Sequence, residues 1–210
     1  MTGARSDESE LQQQIRLAIP LAAQQLGFQL MGTVDAALLG HYSDTAIAAA
    51  GIGNNLLFAI TSIGMGIVMG LDTVIPQAIG ANRKADARRY LAAGLRLAVL
   101  VGLAATLVVL ASPLVLLLVD VAPAVETEVR LYVFVRALGV VPFLLAIAFR
   151  SYLAAHNVTR PLIVAVIAGN IANALLDLVL IFGVDAIGLV PLGVVGAALA
   201  TLTVQVLIVI

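Results

Sequence analysis

The chain has 210 residues, of which 62% are hydrophobic and only 11% charged, with a formal net charge of −1 and no cysteine. Soluble domains run at about 45–50% apolar and about 25% charged, so there is too little polar surface here to cover a water-soluble globule. The near-neutral balance offers no basic field for a nucleic acid, and the lack of cysteine excludes disulfides, thiolate chemistry and Cys-based metal sites.

Three uncharged runs, Thr45–Leu71, Leu97–Val119 and Ala186–Ile210, are each long enough to cross a bilayer, which takes roughly 20 apolar residues. In chain order, the polar segment MTGARSDESELQQQ (1–14) reads as a cytoplasmic tail. It lacks the basic start and short apolar core of a cleavable signal, so the first span is expected to be its own insertion signal. Spans are predicted at about 15–40, 46–80, 89–119, 129–150, 161–183 and 193–210. Pro20 removes a hydrogen bond from the first span and offers a hinge. The last turns of the second, around Pro76–Gly80, are expected to leave the hydrocarbon. Arg130 and Arg136 interrupt the fourth, and both are expected to snorkel toward the nearer interface. The sixth span runs to Ile210 with no polar flank, which reads as a partial chain.

Loop charge orients these spans. Arg83, Lys84, Arg88 and Arg89 follow span two, Arg150 and Arg160 flank the loop after span four, and Arg5 and Arg16 precede span one. The alternate loops HYSDT, DVAPAVETE and VDAIGLVP contain no Lys or Arg. The positive-inside rule then puts the N-terminus and the even-numbered connections in the cytoplasm. The basic run at 83–89 is a topology signal on this reading, not a nucleic-acid patch.

Asp35 and Asp177 lie inside apolar spans, where a carboxylate costs roughly 2.5–3.5 kcal/mol on insertion scales and usually faces a cavity or partner. At a rise of about 1.5 Å per residue, both sit roughly 8–9 Å inside the outer face. Asn170, Asn173 and Asp177 are spaced i, i+3, i+7, on one helical face. Thr201 on span six lies near the same level. Gln24 shares a face with Asp35, Gln25 and Gln29 form a neighbouring pair, and Asn54 and Asn55 sit several residues below the outer surface. These groups define an expected polar chamber lined by spans one, two, five and six. In it Asp35 and Asp177 hold a proton or, with oxygens of Asn173 and Thr201, a small hard cation such as Na⁺. For the glutamines, Asn54 and Asn55, interhelical hydrogen bonding is the competing reading, at about 0.6 kcal/mol each. Asp72, near the inner end of span two, is either a cytoplasmic-side gate or an interfacial carboxylate. The glycines, including the Gly66–Gly70 GxxxG pair, read as close-packing positions.

The order of VDAALLGHYSDTAIAAAGI, GMGIVMGLDTVIPQAIGANR, YLAAHNVTRPLI, NIANALLDLVLIFG and LGVVGAALAT resembles the multidrug and toxic compound extrusion (MATE) transporters across residues 15–205. The resemblance implies an all-α integral membrane fold of twelve helices in two lobes, with residues 15–210 as the N-terminal six-helix lobe and the C-terminal lobe absent from this chain. It implies a cell (inner) membrane antiporter, without organic cofactor, that exports organic and often cationic drugs against protons or Na⁺. Its partners would be small organic molecules, membrane lipid and the second lobe. In members with an N-lobe cation site, the aspartate of span one, the Asn and Asp of span five and the Thr of span six match Asp35, Asn173, Asp177 and Thr201, and the span-one proline matches Pro20. Other members place the cation site in the second lobe.

Three further readings compete with this one. A lipid-linked oligosaccharide flippase of the same superfamily would be expected to line its chamber with cations for pyrophosphate, whereas this chamber is acidic and amidic. An intramembrane aspartyl protease would carry Tyr-Asp and Gly-x-Gly-Asp motifs, in place of Val34-Asp35 and Leu176-Asp177. A non-transporting membrane subunit is compatible with six spans. No zinc-protease motif, phosphate loop or Ser/His/Asp arrangement supports an enzyme.

Overall fold

The computed structural model describes residues 19, 22, 26, 27, 29–158, 160–185 and 188–209. The tail 1–14, the proline at the expected hinge (Pro20) and Gln24 lie outside the described residues. The described residues form helices α1 (29–42), α2 (Asp44–Val68), α3 (Leu71–Gly80), α4 (Lys84–Ala111), α5 (Pro123–Ala137), α6 (Val140–Ala155), α7 (Arg160–Phe182) and α8 (Val194–Val209). A 3-10 segment, Ser112–Leu118, continues α4. Among the described residues there is no strand, only a single antiparallel bridge, Val184 to Leu189.

Two of the six predicted spans are therefore broken. Span two stops at Met69 and restarts at Leu71, where the Asp72 amide donates to the Met69 carbonyl at 2.9 Å in a tight turn. Gly70 gives up helical stability at that point, and Pro76 inside α3 has no amide to donate. Span four is the pair α5–α6, bent by 43° at Leu138–Gly139. A break of this kind frees carbonyls, and Thr106 Oγ1 on α4 donates to one of them, Ala137 O, at 3.3 Å. α5 begins six residues earlier than predicted, with Pro123 in its first turn, where the missing amide costs nothing. Arg130 does not interrupt it: its Nη2 pairs with Glu126 Oε1 one turn back, at 2.6 Å.

Side chains are sorted as a bilayer demands. On α4 the inward positions are small or slim (Gly94, Ala98, Gly102, Ala105, Val109), whereas Leu100, Leu103 and Leu107 stand outward and exposed. Small residues at helix contacts let backbones approach, and large apolar ones face lipid at no cost. The buried core falls into two clusters. One joins Leu39, Leu57, Val109, Val129, Tyr132, Val133, Ile181 and Val194 with alanines of α2 and α8. The other joins Val68, Leu71, Ile75, Leu144, Ile147 and alanines of α3, α4 and α6. α4, α7 and the long α2–α3 helix are each long and apolar enough to cross a membrane, as is the bent α5–α6 pair, while α8 is a shorter apolar helix. The protein is a multi-pass membrane protein.

Candidate functional site

Six polar side chains are buried among the described residues: Asp35, Ser112, Ser151, Asn173, Asp177 and Thr201. Two of them are absorbed locally, because Ser112 and Ser151 donate to carbonyls one turn back on their own helices, Val109 and Ile147. The other four meet at one place, between α1, α7 and α8.

The inward face of α7 carries Val166, Gly169, Asn173, Asp177 and Ile181, so the amide and the carboxylate lie one turn apart on the packed side. Asn173 Nδ2 donates to Asp35 Oδ1 at 2.5 Å and to Asp177 Oδ2 at 2.6 Å. One amide thus bridges carboxylates from two helices. Thr201 Oγ1 on α8 donates to the second oxygen of Asp35 at 2.9 Å, and lies 3.1 Å from the Ala197 carbonyl, which it can also reach. Asp177 is fully buried and Asp35 only 7% exposed. Two acceptors, Asn173 Oδ1 and Asp177 Oδ1, are buried without a hydrogen-bond partner. In a low-dielectric interior such lone pairs are expensive to leave empty, and oxygens of this kind suit a proton or a hard monovalent cation. Among the described residues no three of His, Cys, Asp and Glu gather as a metal cluster, so the negative charge available is that of two carboxylates.

The positioning of Thr201 depends on how α8 is docked. After α7, the Val184–Leu189 bridge folds the long connection back, and the Leu192 and Gly193 amides donate to the Leu180 and Ile181 carbonyls at 3.0 and 3.2 Å. Gly196 then lies directly against α7: a Cβ there would stand 2.5 Å from the Leu180 carbonyl oxygen. With α8 docked in this way, Thr201 reaches Asp35.

Other expected chamber residues are placed apart from this cluster. Asn170, half-buried, donates to its own helix at Val166 O, 2.8 Å. Asn54 and Asn55 are exposed on α2, and Gln29 is exposed on α1. Asp72 is held by Arg150, whose Nη2 donates to its Oδ2 at 2.8 Å, tying α3 to α6. The Arg150 side chain is 19% exposed and that of Asp72 36%, so the pair is partly buried within one bundle.

Two residues at the site escaped the sequence reading. Tyr132, buried on α5, lies against Gly53 of α2, where a Cβ would stand 2.6 Å from its ring. Arg136 was expected to snorkel, and does not: its Nε and Nη1 are buried, and its guanidinium carbon lies 6.0 Å from the Tyr132 ring centroid. The reason is its place in the helix. Val129, Tyr132, Val133 and Ala137 form the packed face of α5, and Arg136, one turn after Tyr132, falls on that face. The same i, i+4 spacing was the signal available in the sequence.

The MatE family profile matches residues 20–179. A probable multidrug resistance protein NorM from Bradyrhizobium diazoefficiens is 34% identical over 91% of this chain and 41% of its own length. The multidrug resistance protein NorM of Burkholderia vietnamiensis is 31% identical over 89% of this chain and 40% of its own. Among solved structures, the outward-facing conformation of a multidrug resistance MATE family transporter of the MOP superfamily superimposes with a TM-score of 0.82 at 23% identity, covering 93% of this chain and 42% of that one. A MOP superfamily transporter from Pyrococcus furiosus gives the same score at 22% identity, with the same coverage. The chain therefore spans about two-fifths of the length of the relatives it matches. With three quarters of its residues under the family profile, the chain belongs to the MatE family of membrane transporters.

Proposed function

We propose that this chain forms the N-terminal six-helix lobe of a two-lobed secondary active exporter, which moves organic, mainly cationic, compounds outward against protons or Na⁺. The observation that carries the reading is the buried constellation of Asp35, Asn173, Asp177 and Thr201, with two acceptor oxygens left open. Two carboxylates bridged by one amide form a site that a single monovalent ion can enter and leave. The second lobe, a further partner on this reading, completes a central cavity, and alternating access follows from rocking one lobe against the other. Asn54, exposed on α2, and the partly buried Asn170 would face that cavity and contribute neutral polar contacts to cargo. The acidic and amidic lining supports cationic cargo over pyrophosphate-linked lipids. The basic run at 83–89 supports a cytoplasmic N-terminus in the cell membrane.

The experiment is gradient-driven efflux in vesicles containing the complete transporter, with proton and Na⁺ gradients imposed separately. Asp35→Asn and Asp177→Asn are each expected to abolish the response to the coupling gradient, since each removes a carboxylate that would hold the ion. Undiminished gradient-driven efflux in both variants rules the assignment out.

A further inference from the structure

Arg136 has a partly buried side chain inside the bundle, and no protein acceptor satisfies its Nε or Nη1. A guanidinium in such a position is normally paired, because five donors and a full charge are costly to strand. Its surroundings name the counter-charge. Its guanidinium carbon lies 6.0 Å from the Tyr132 ring centroid, and Gly139, three residues on, touches Gln205 of α8, one turn past the Thr201 that donates to Asp35. α1 and α7 bring Asp35 and Asp177, and α5 itself carries Arg130, paired to Glu126, and Glu128, two turns before Arg136, whose Oε2 is buried without a partner; the remaining neighbours bring neutral groups. α8 supplies Thr201 and Gln205, whose amide packs on Gly139 at the α5–α6 bend. α2 carries no charge after Asp44, α4 carries its charges within 84–96, and the one cation of α6, Arg150, is taken by Asp72. At the level of Thr201 the set is Asp35, Asp177 and the guanidinium of Arg136, and one monovalent cation would bring these three to neutrality.

We propose that Arg136 is a positioning residue for the ion site, a tethered cation that offsets one carboxylate, limits the site to a single coupling ion and keeps that ion's binding weak enough to reverse. The inference rests on the assignment of Asp35 and Asp177 as the ion-holding pair. It gives the α5–α6 bend a role: the bend ends α5 one turn past Tyr132 and leaves Arg136 at the helix end, beside the turn of α8 that carries Thr201. When the coupling ion arrives, the guanidinium and the ion compete for the same negative charge. When it leaves, the guanidinium remains to stabilise the emptied pair. Without it, two carboxylates bridged by Asn173 would hold a cation far more tightly, and release would become the slow step.

The test is ion-dependent thermal stabilisation of the purified complete transporter, with NaCl titrated at fixed pH and pH varied without Na⁺. Arg136→Gln is expected to lower the half-saturating concentration of the coupling ion by at least about tenfold, which for protons is a shift of the response to higher pH by about one unit. Arg136→Lys keeps the charge and is expected to stay within about threefold of the parent. Half-saturation unchanged in Arg136→Gln, while Asp177→Asn loses the ion response, overturns the inference and leaves the ion site standing. An ion response that survives in both Asp35→Asn and Asp177→Asn overturns the site itself. If Arg136→Gln does not fold, the charge-balanced pair Arg136→Gln/Asp177→Asn decides. Recovery of folded protein supports the counter-charge, and failure of the double variant where Asp177→Asn alone folds refutes it.

Discussion

The amide of Asn173 is the keystone of the constellation, and Asn173→Ala is the perturbation with the most to reveal. Its Nδ2 supplies both bonds that bring the two aspartates together, at 2.5 and 2.6 Å, and the side chain is 1% exposed. In soluble proteins a hydrogen bond to a charged group contributes about 1.5–3 kcal/mol. In membranes the average falls to about 0.6 and the maximum to about 1.7, because the unfolded chain still finds partners within the bilayer; two such bonds put the loss at about 1–3.5 kcal/mol. Truncation also leaves Asp177 without any donor, since its Oδ1 already lacks one. Removing Asp177 should therefore relieve part of the cost of removing Asn173. Unfolding free energies of Asn173→Ala, Asp177→Ala and the double variant, measured in mixed micelles on the complete transporter, give that coupling directly. We expect the double variant to be less destabilised than the sum of the singles by at least about 0.6 kcal/mol. Additivity within about 0.3 kcal/mol refutes the bridging geometry. Asn170→Ala is the internal control: its amide bonds only its own helix, and its cost should stay below about 0.5 kcal/mol.

Thr201→Ser keeps the donor to Asp35 and should retain ion-dependent stabilisation, whereas Thr201→Val should lose about 0.6–1.7 kcal/mol of stability and weaken the ion response; equal behaviour of the two would show that the hydroxyl is idle. Gly196→Ala should cost about 1–3 kcal/mol through overpacking against the Leu180 carbonyl, while Gly66→Ala, which meets nothing within 4 Å, should be neutral or stabilising by up to about 1 kcal/mol; melting temperatures that rank the other way refute the α7–α8 contact. Asp72→Asn and Arg150→Gln should each lose no more than about 1 kcal/mol, and less at high salt, because the pair is partly solvated; a loss above about 2 kcal/mol, or a block of efflux with stability intact, would make it a gate.

The membrane class and the positions of the polar residues were legible because both are carried by one-dimensional signals. Long uncharged runs need no partner to identify them, and Asn173 and Asp177 fall on one face by helical spacing alone. What spacing leaves open is which neighbour each face meets. Asn170 obeys the same stripe as Asn173, yet it turns back to the Val166 carbonyl, because the edge of the buried face offers its own backbone as the nearest acceptor. The breaks at Met69–Gly70 and Leu138–Gly139 were hidden for a related reason. Each is marked by a glycine with a charge and a proline close by (Asp72 and Pro76, Arg136 and Pro142), but glycine and proline are also common in membrane helices that run on.

Arg136 shows where the single-residue cost scale misleads. An arginine at membrane depth is priced for an isolated helix, and on that scale the cheapest course is to snorkel. On the same scale Asp35 and Asp177 are groups that must have partners, and the scale treats each residue separately. Taken together, two buried anions alter the cost of a nearby cation, because the field that penalises the pair favours the guanidinium. The α5 spacing of Val129, Tyr132, Val133, Arg136 and Ala137 already put the arginine on the packed face. A sequence that places two acids and one base on inward faces at depth is better read as one charge-balanced set than as three separate exceptions. By that criterion Arg130, exposed and paired to Glu126 on its own helix, stands outside the set, whereas Arg136 joins it on the proposed reading.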